Sequence, residues 1–284
     1  MSAAVETRKA PVFLTAAWRW LVMLNFEVDR RLLLPHVPRG TELDLWQGRA
    51  LVSLVGFRFL DTRIRGCVVP GHRCFDEVNL RLYVRRETAE GCRRGVVFLK
   101  EVVPLWTVAW VARRVYQENY ITLPVSHDLR IPGYVCDENR RKGGDGRTDA
   151  PEGTIGHAWY RWGRRGAELE IGVTVEGRPQ PLIPGTEVEF ITEHYWGYTR
   201  QRDESTLEYE VEHPPWNVWP ALRAEFSGDP APLYGSELAV ALRQPPCSAF
   251  LADGSTVCVR RGVRLPPSAR KTVTLSAAIQ GEQE

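Results

Sequence analysis

Apolar and polar positions alternate with a period of two along much of the chain. That is the pattern of strands with one buried face. The cleanest run covers 75–84. Phe75, Glu77, Asn79, Arg81 and Tyr83 fall on one side; Val78, Leu80, Leu82 and Val84 fall on the other. One face is core. The other carries a carboxylate, an amide, a guanidinium and a phenol in a row, and it either faces water or lines a polar cavity. Trp18, Trp20, Val22, Leu24 and Phe26 repeat the period, with Arg19 and Asn25 opposite. Leu51, Ser53, Val55, Phe57 and Phe59 alternate with Val52, Leu54 and Leu60, so 51–60 is apolar on both faces and reads as a central strand. Further strands are expected at 95–102, 158–162, 168–175, 195–200, 207–213 and 256–263. Leu43–Trp46 begins another, with Gln47-Gly48 as a tight turn.

Helical spacing is rarer. Leu105, Val108, Ala109, Ala112, Val115 and Tyr116 form a stripe behind Pro104, which suits a first helical turn. Asp29 caps a short helix that Pro35 ends. Thr186 and Glu189 match a capping box, opening a helix to about His194. Residues 137–153 read as an exposed polar loop. Many strands with few helices predict a mainly β protein, a closed or nearly closed antiparallel β-barrel. It is expected to form one domain over 12–265, with loose termini at 1–11 and 266–284.

Composition narrows the function. The hydrophobic fraction of 43% and charged fraction of 25% are those of an ordinary globular protein. A net charge of +2 makes no case for nucleic acid or an anionic membrane as partner. The apolar run 16–28 is broken by Arg19, Asn25 and Glu27 and is too short to span a bilayer. The N-terminus has no apolar signal core, and the six cysteines form no CxxC pair. A cytoplasmic protein with reduced thiols is expected. No glycine-rich nucleotide loop occurs, and no cofactor is expected. His72, His194 and His213 could converge with Glu193 or Glu77, but no HxH or HxxxH spacing supports a metal, and none is expected. Ser126-His127-Asp128 is not a triad, because adjacent side chains cannot act in series. Arg113 either ends a solvated helix or anchors a substrate carboxylate.

Several stretches together resemble a known family. They are FLTAAWRWLVMLNFEV, LLLPHVPRGTELDLWQGRALVSLVGFRF, FDEVNLRLYV, PGTEVEFITEHYWGYT and HPPW. They are similar to the YqjF-like family (domain of unknown function 2071) from about Phe13 to about Leu265. That family is distantly similar to acetoacetate decarboxylase. The resemblance implies a cone-like antiparallel β-barrel around an apolar pocket, often oligomeric. The decarboxylase works through a lysine Schiff base. Here Arg113 fits the motif arginine, but Tyr120 and Ile121 stand where the lysine belongs. The decarboxylase's aromatic-x-Glu strand is similar to Phe75-Asp76-Glu77. The resemblance therefore implies Glu77 as the pocket acid or base, with Asn79, Arg81, Arg113, Tyr116 and Tyr120 as substrate contacts. The expected partner is a small carbonyl or carboxylate compound. It is bound, and in an enzyme transformed, without a Schiff-base lysine. The alternative is a non-catalytic binding or interaction module on the same fold.

Overall fold

The computed structural model describes residues 9–109, 117–134 and 151–266. Arg113, Tyr116 and most of the expected loop 137–153 lie outside the described residues. The strands are β1 (Val12–Glu27), β2 (Glu42–Leu43), β3 (Leu51–Ile64), β4 (Cys67–Val68), β5 (Phe75–Thr88), β6 (Gly91–Val103), β7 (Tyr120–Thr122) and β8 (Val125–Arg130). Then come β9 (Ile155–Arg164), β10 (Ala167–Glu176), β11 (Trp196–Arg200), β12 (Thr206–Glu212), β13 (Val218–Pro220), β14 (Arg223–Ser227), β15 (Ser248–Arg260) and β16 (Val263–Arg264). The helices are α1 (Arg30–Leu33), α2 (Glu187–Thr192), α3 (Ala231–Tyr234) and α4 (Ser236–Leu242). Residues 106–109 are also helical.

The expected mainly β architecture is what the chain adopts. β15, β1, β3, β5, β6, β11 and β12 are neighbours in that order. β12 then returns to β15 where Val211 meets Val259 and Glu212 meets Cys258, which leaves a nearly closed ring. A second sheet, β14-β10-β9-β8, covers part of the outside. The ring is not wholly antiparallel, as the sequence pattern suggested. β6 pairs in parallel with both β7 and β11. Parallel neighbours need a long connection; residues 104–119 separate β6 from β7 along the chain.

Two apolar layers result. Val22, Leu24 and Phe26 of β1, Leu54 of β3, and Val78, Leu80 and Leu82 of β5 face outward onto Tyr160, Ile171 and Val173 of the second sheet. Phe57, Phe59, Phe75, Phe190, Trp216 and Phe250 gather inside the ring. β3 is buried on both faces, as its double apolar pattern predicts.

β1 departs from simple alternation. Its register with β3 shifts between Arg19 and Val22, where Trp20 has φ 57°. The bulge reverses the phase. Trp18 turns inward against Phe57 and Phe59, while Val22, Leu24 and Phe26 face outward. Asn25 is not on a solvated face: it is fully buried and bonded to Ser53 and Ser248.

Most turn and cap signals hold. Gln47 and Gly48 both have positive φ, 49° and 82°, between the bridged residues Trp46 and Arg49, as a tight primed hairpin requires. Thr186 caps α2 by accepting from the Glu189 amide. Asp29 caps α1 by accepting from the Arg31 amide, and α1 stops at Leu33, before Pro35, which sits in a 3₁₀ turn at Leu34–His36. β15 begins at Ser248, well before the expected 256. Its first half shows no alternation because Phe250, Leu251 and Ala252 are all buried. Among the described residues, no helix is long and apolar enough to cross a membrane.

Candidate functional site

The interior of the ring is not filled. A cavity of about 310 Å³ remains, with aromatic walls that include Trp18, Phe57, Phe59, Phe75, Phe98 and Trp216. Glu77, Asn79, Arg81 and Tyr120 all line it. The polar face of β5 therefore points inward. Val78, Leu80 and Leu82 commit the opposite face to the dry layer between the sheets, and strand alternation leaves only the ring interior for the rest.

Strand pairing brings further acids to this wall. Glu101 on β6 stands opposite Asn79 on β5 and beside Tyr120 on β7. Glu118 lies just before β7 and lines the same cavity. Glu77 Oε1 accepts from Asn79 Nδ2 at 3.2 Å, and Glu77 Oε2 accepts from the Tyr120 hydroxyl at 3.2 Å. Tyr120 also bonds to Glu101. Glu101 is 1% exposed, and its Oε2 has no partner. Glu118 Oε1 accepts from the Tyr209 hydroxyl at 2.5 Å and from Thr199 Oγ1 at 3.4 Å. Gly197 makes the Tyr209 contact possible: a Cβ there would sit 2.1 Å from Tyr209 Cζ.

Burial dominates the electrostatics of the cluster, because removing a carboxylate from water disfavours its charged form. It pushes Glu77 up to about 8, against the hydrogen bonds from Asn79 and Tyr120, with the Glu118 charge adding to the rise. It pushes Glu118 up to about 7, against its bonds from Tyr209 and Thr199. Glu101 is driven well above the ordinary carboxyl range, by burial first and then by the charges of Glu118 and Glu77. The three acids therefore titrate as a group.

The cavity continues past Asn79 to a cationic end. Arg81 stands one same-face step along β5, about 7 Å away. Its Nη2 donates to the Ile191 carbonyl at 3.2 Å and its Nε to the Tyr83 hydroxyl at 3.4 Å. Among the described residues, no carboxylate pairs with it. His194 lies on the same wall, its ring against Tyr83 and Phe190. Burial lowers its pKa to about 4, so the ring is neutral at neutral pH.

Other sequence candidates separate. Lys100 precedes Glu101 on β6, so alternation turns it away from the cavity; its Nζ donates to Asn119 Oδ1 at 3.4 Å. No lysine lines the cavity among the described residues. His72, His194 and His213 all line it, yet among the described residues no three His, Cys, Asp or Glu side chains lie close enough to hold a metal. Ser126 and Asp128 are exposed on β8, while His127 turns the other way and bonds Asp76 Oδ2 at 2.7 Å. The sequence reading missed Glu101 and Glu118. Glu101 left a trace, as an acid in the otherwise apolar run LKEVV. Glu118 left none.

Comparison with known proteins agrees with this architecture. The family model of domain of unknown function 2071, described as an uncharacterized conserved protein, matches residues 15–256. The chain belongs to this family. The uncharacterized protein YqjF of Bacillus subtilis is 26% identical over 200 residues, which span 70% of this chain and 72% of YqjF. Among solved structures, acetoacetate decarboxylase from Legionella pneumophila is similar over 94% of this chain and 92% of its own, with 12% identity and a TM-score of 0.58. The enduracididine biosynthesis enzyme MppR complexed with pyruvate is similar over 92% of this chain and 93% of its own, with 14% identity and a TM-score of 0.58. At such identities these likenesses speak for the fold alone.

Proposed function

We propose that this protein binds a small oxo acid inside the ring. The carboxylate meets Arg81, the carbonyl end lies toward Glu77, and no Schiff-base lysine takes part. One observation carries the reading. The same cavity wall holds a buried guanidinium with no carboxylate partner and a buried carboxyl group whose pKa is pushed to about 8. An unpaired buried cation is costly, and a ligand anion relieves that cost. Arginine also suits carboxylates through its paired N–H groups. The aromatic walls accommodate an apolar substituent. A structural relative of the same fold, MppR, is seen complexed with pyruvate, itself an oxo acid. Exposed free cysteines at 67, 74, 92 and 247 fit a reducing, cytoplasmic setting.

The test is a thermal-shift panel of pyruvate, 2-oxobutyrate and phenylpyruvate beside their methyl esters. Saturating free acid should raise the wild-type Tm by several degrees, since ligand at about 100 Kd adds about 2.7 kcal/mol. The esters should be silent, and Arg81→Met should lose the shift. Equal shifts in wild type and Arg81→Met would remove Arg81 from the site.

A further inference from the structure

We propose that this wall catalyses keto–enol proton transfer on an apolar oxo acid, with Glu101 as the acid, Glu77 as the base and Tyr120 as the return path between them. The proposal rests on the cavity being the ligand site, and it adds an activity, a reaction class and a catalytic residue that sequence reading did not find.

The two acids have different surroundings. Glu101 is almost wholly buried and its Oε2 meets no partner, although the residue lines the cavity. A carboxylate left there would be an uncompensated anion. A neutral carboxylic acid is instead a donor looking for an acceptor, and a ligand carbonyl oxygen is one. Both acids bond to the Tyr120 hydroxyl, but Glu77 also accepts from Asn79 Nδ2 at its other oxygen, so that both of its oxygens have partners. Those bonds favour its anion. Two carboxyl groups whose environments push their protonation apart divide into acid and base. The buried Asn79 Oδ1 has no partner either; it can accept the enol hydroxyl once that forms. Asn79, Glu101 and Tyr120 occupy one row across β5, β6 and β7, with Arg81 one same-face step away.

The step balances within the site. Glu77 takes the proton from the carbon next to the carbonyl. The C–H pair becomes the C=C bond, and the carbonyl π pair takes the Glu101 proton to form the enol O–H. Glu77 is now the acid and Glu101 the carboxylate. Tyr120 resets them, accepting the Glu77 proton on its oxygen while giving its own to Glu101. Nothing else is consumed.

Phenylpyruvate and 2-oxobutyrate supply the test. Exchange of their enolisable C–H for deuterium in D₂O is followed by proton NMR, beside the thermal shift given by the same compounds. Wild type should exceed the buffer rate by at least about 100-fold, the scale of positioned acid–base catalysis. Glu101→Gln should cut exchange about 100-fold and keep the thermal shift. Tyr120→Phe should slow exchange about tenfold and change its pH profile, because resetting then depends on solvent. Binding without exchange above buffer would overturn this proposal and leave the binding reading standing. Absence of any thermal shift would overturn both. Exchange in Glu101→Gln at the wild-type rate would remove Glu101. If that variant does not fold, a Tyr120→Phe protein with the wild-type rate and pH profile would overturn the proposed path.

Discussion

The two faces of β5 share one strand and one degree of burial, yet they differ in kind. Outward, Val78, Leu80, Leu82 and Val84 are all fully buried against the second sheet. Packing there is close: a Cβ on Gly56 would lie 2.7 Å from the Tyr160 ring. Inward, Glu77, Asn79 and Arg81 are 2%, 2% and 8% exposed, but they border open space, and the buried Asn79 Oδ1 has no partner. Burial therefore does not separate core from site. Satisfaction does: the outer face has nothing left to bind, and the inner face has. The outer layer stabilises the fold, while burying the polar groups of the inner wall costs stability.

The comparison can be broken most forcefully at Leu80. Leu80→Ala should lower stability by about 2–5 kcal/mol, read from urea denaturation, because the packed layer cannot close the hole. Ligand-induced thermal shifts should be unchanged relative to the mutant's own baseline. A loss below about 1 kcal/mol would show that the outer layer is loose and the contrast false.

Glu77→Gln sharpens the other side. The folded pKa of Glu77, about 8, lies above the ordinary 4.5. Its protonated form is therefore favoured by folding. Wild-type stability from this group is present below about 4.5 and is lost as pH rises through 8. Glutamine carries no such dependence. The variant should match wild type near pH 4 and exceed it near pH 9, by on the order of a few kcal/mol. Melting curves at pH 4, 7 and 9 check this. Parallel curves at all three would mean that Glu77 is hydrated.

The smallest effect is expected outside both regions. Arg85 and Glu42 form an exposed ion pair at 2.8 Å. Arg85→Ala should change stability by no more than about 0.5 kcal/mol, and less in high salt. A larger loss would show that polar contacts at the far end of β5 contribute more than either face comparison allows.

The sequence by itself determined that 75–84 is a strand with one apolar and one polar side, since Val78, Leu80 and Leu82 alternate with Glu77, Asn79 and Arg81. It also determined that 51–60 lies between two layers, that Gln47-Gly48 turns, and that no lysine stands where the decarboxylase motif needs one. Each of these rests on neighbours a few residues apart, where periodicity, turn chemistry or a motif suffices. The direction of the polar face was not legible, because a period of two is the same whether that face meets water or a cavity. Only the return of β12 to β15 decided it, by giving the sheet an inside. The bulge at Trp20 likewise reversed a pattern that read as unbroken. Glu77, Glu101 and the neighbours Glu118 and Tyr120 come from three different segments. They converge because β5 pairs with β6 at Asn79 and Glu101, and β6 with β7 at Glu101 and Tyr120. Those registers depend on long-range packing, so the tertiary structure alone turned one recognised acid into a cluster whose protonation its shared burial controls.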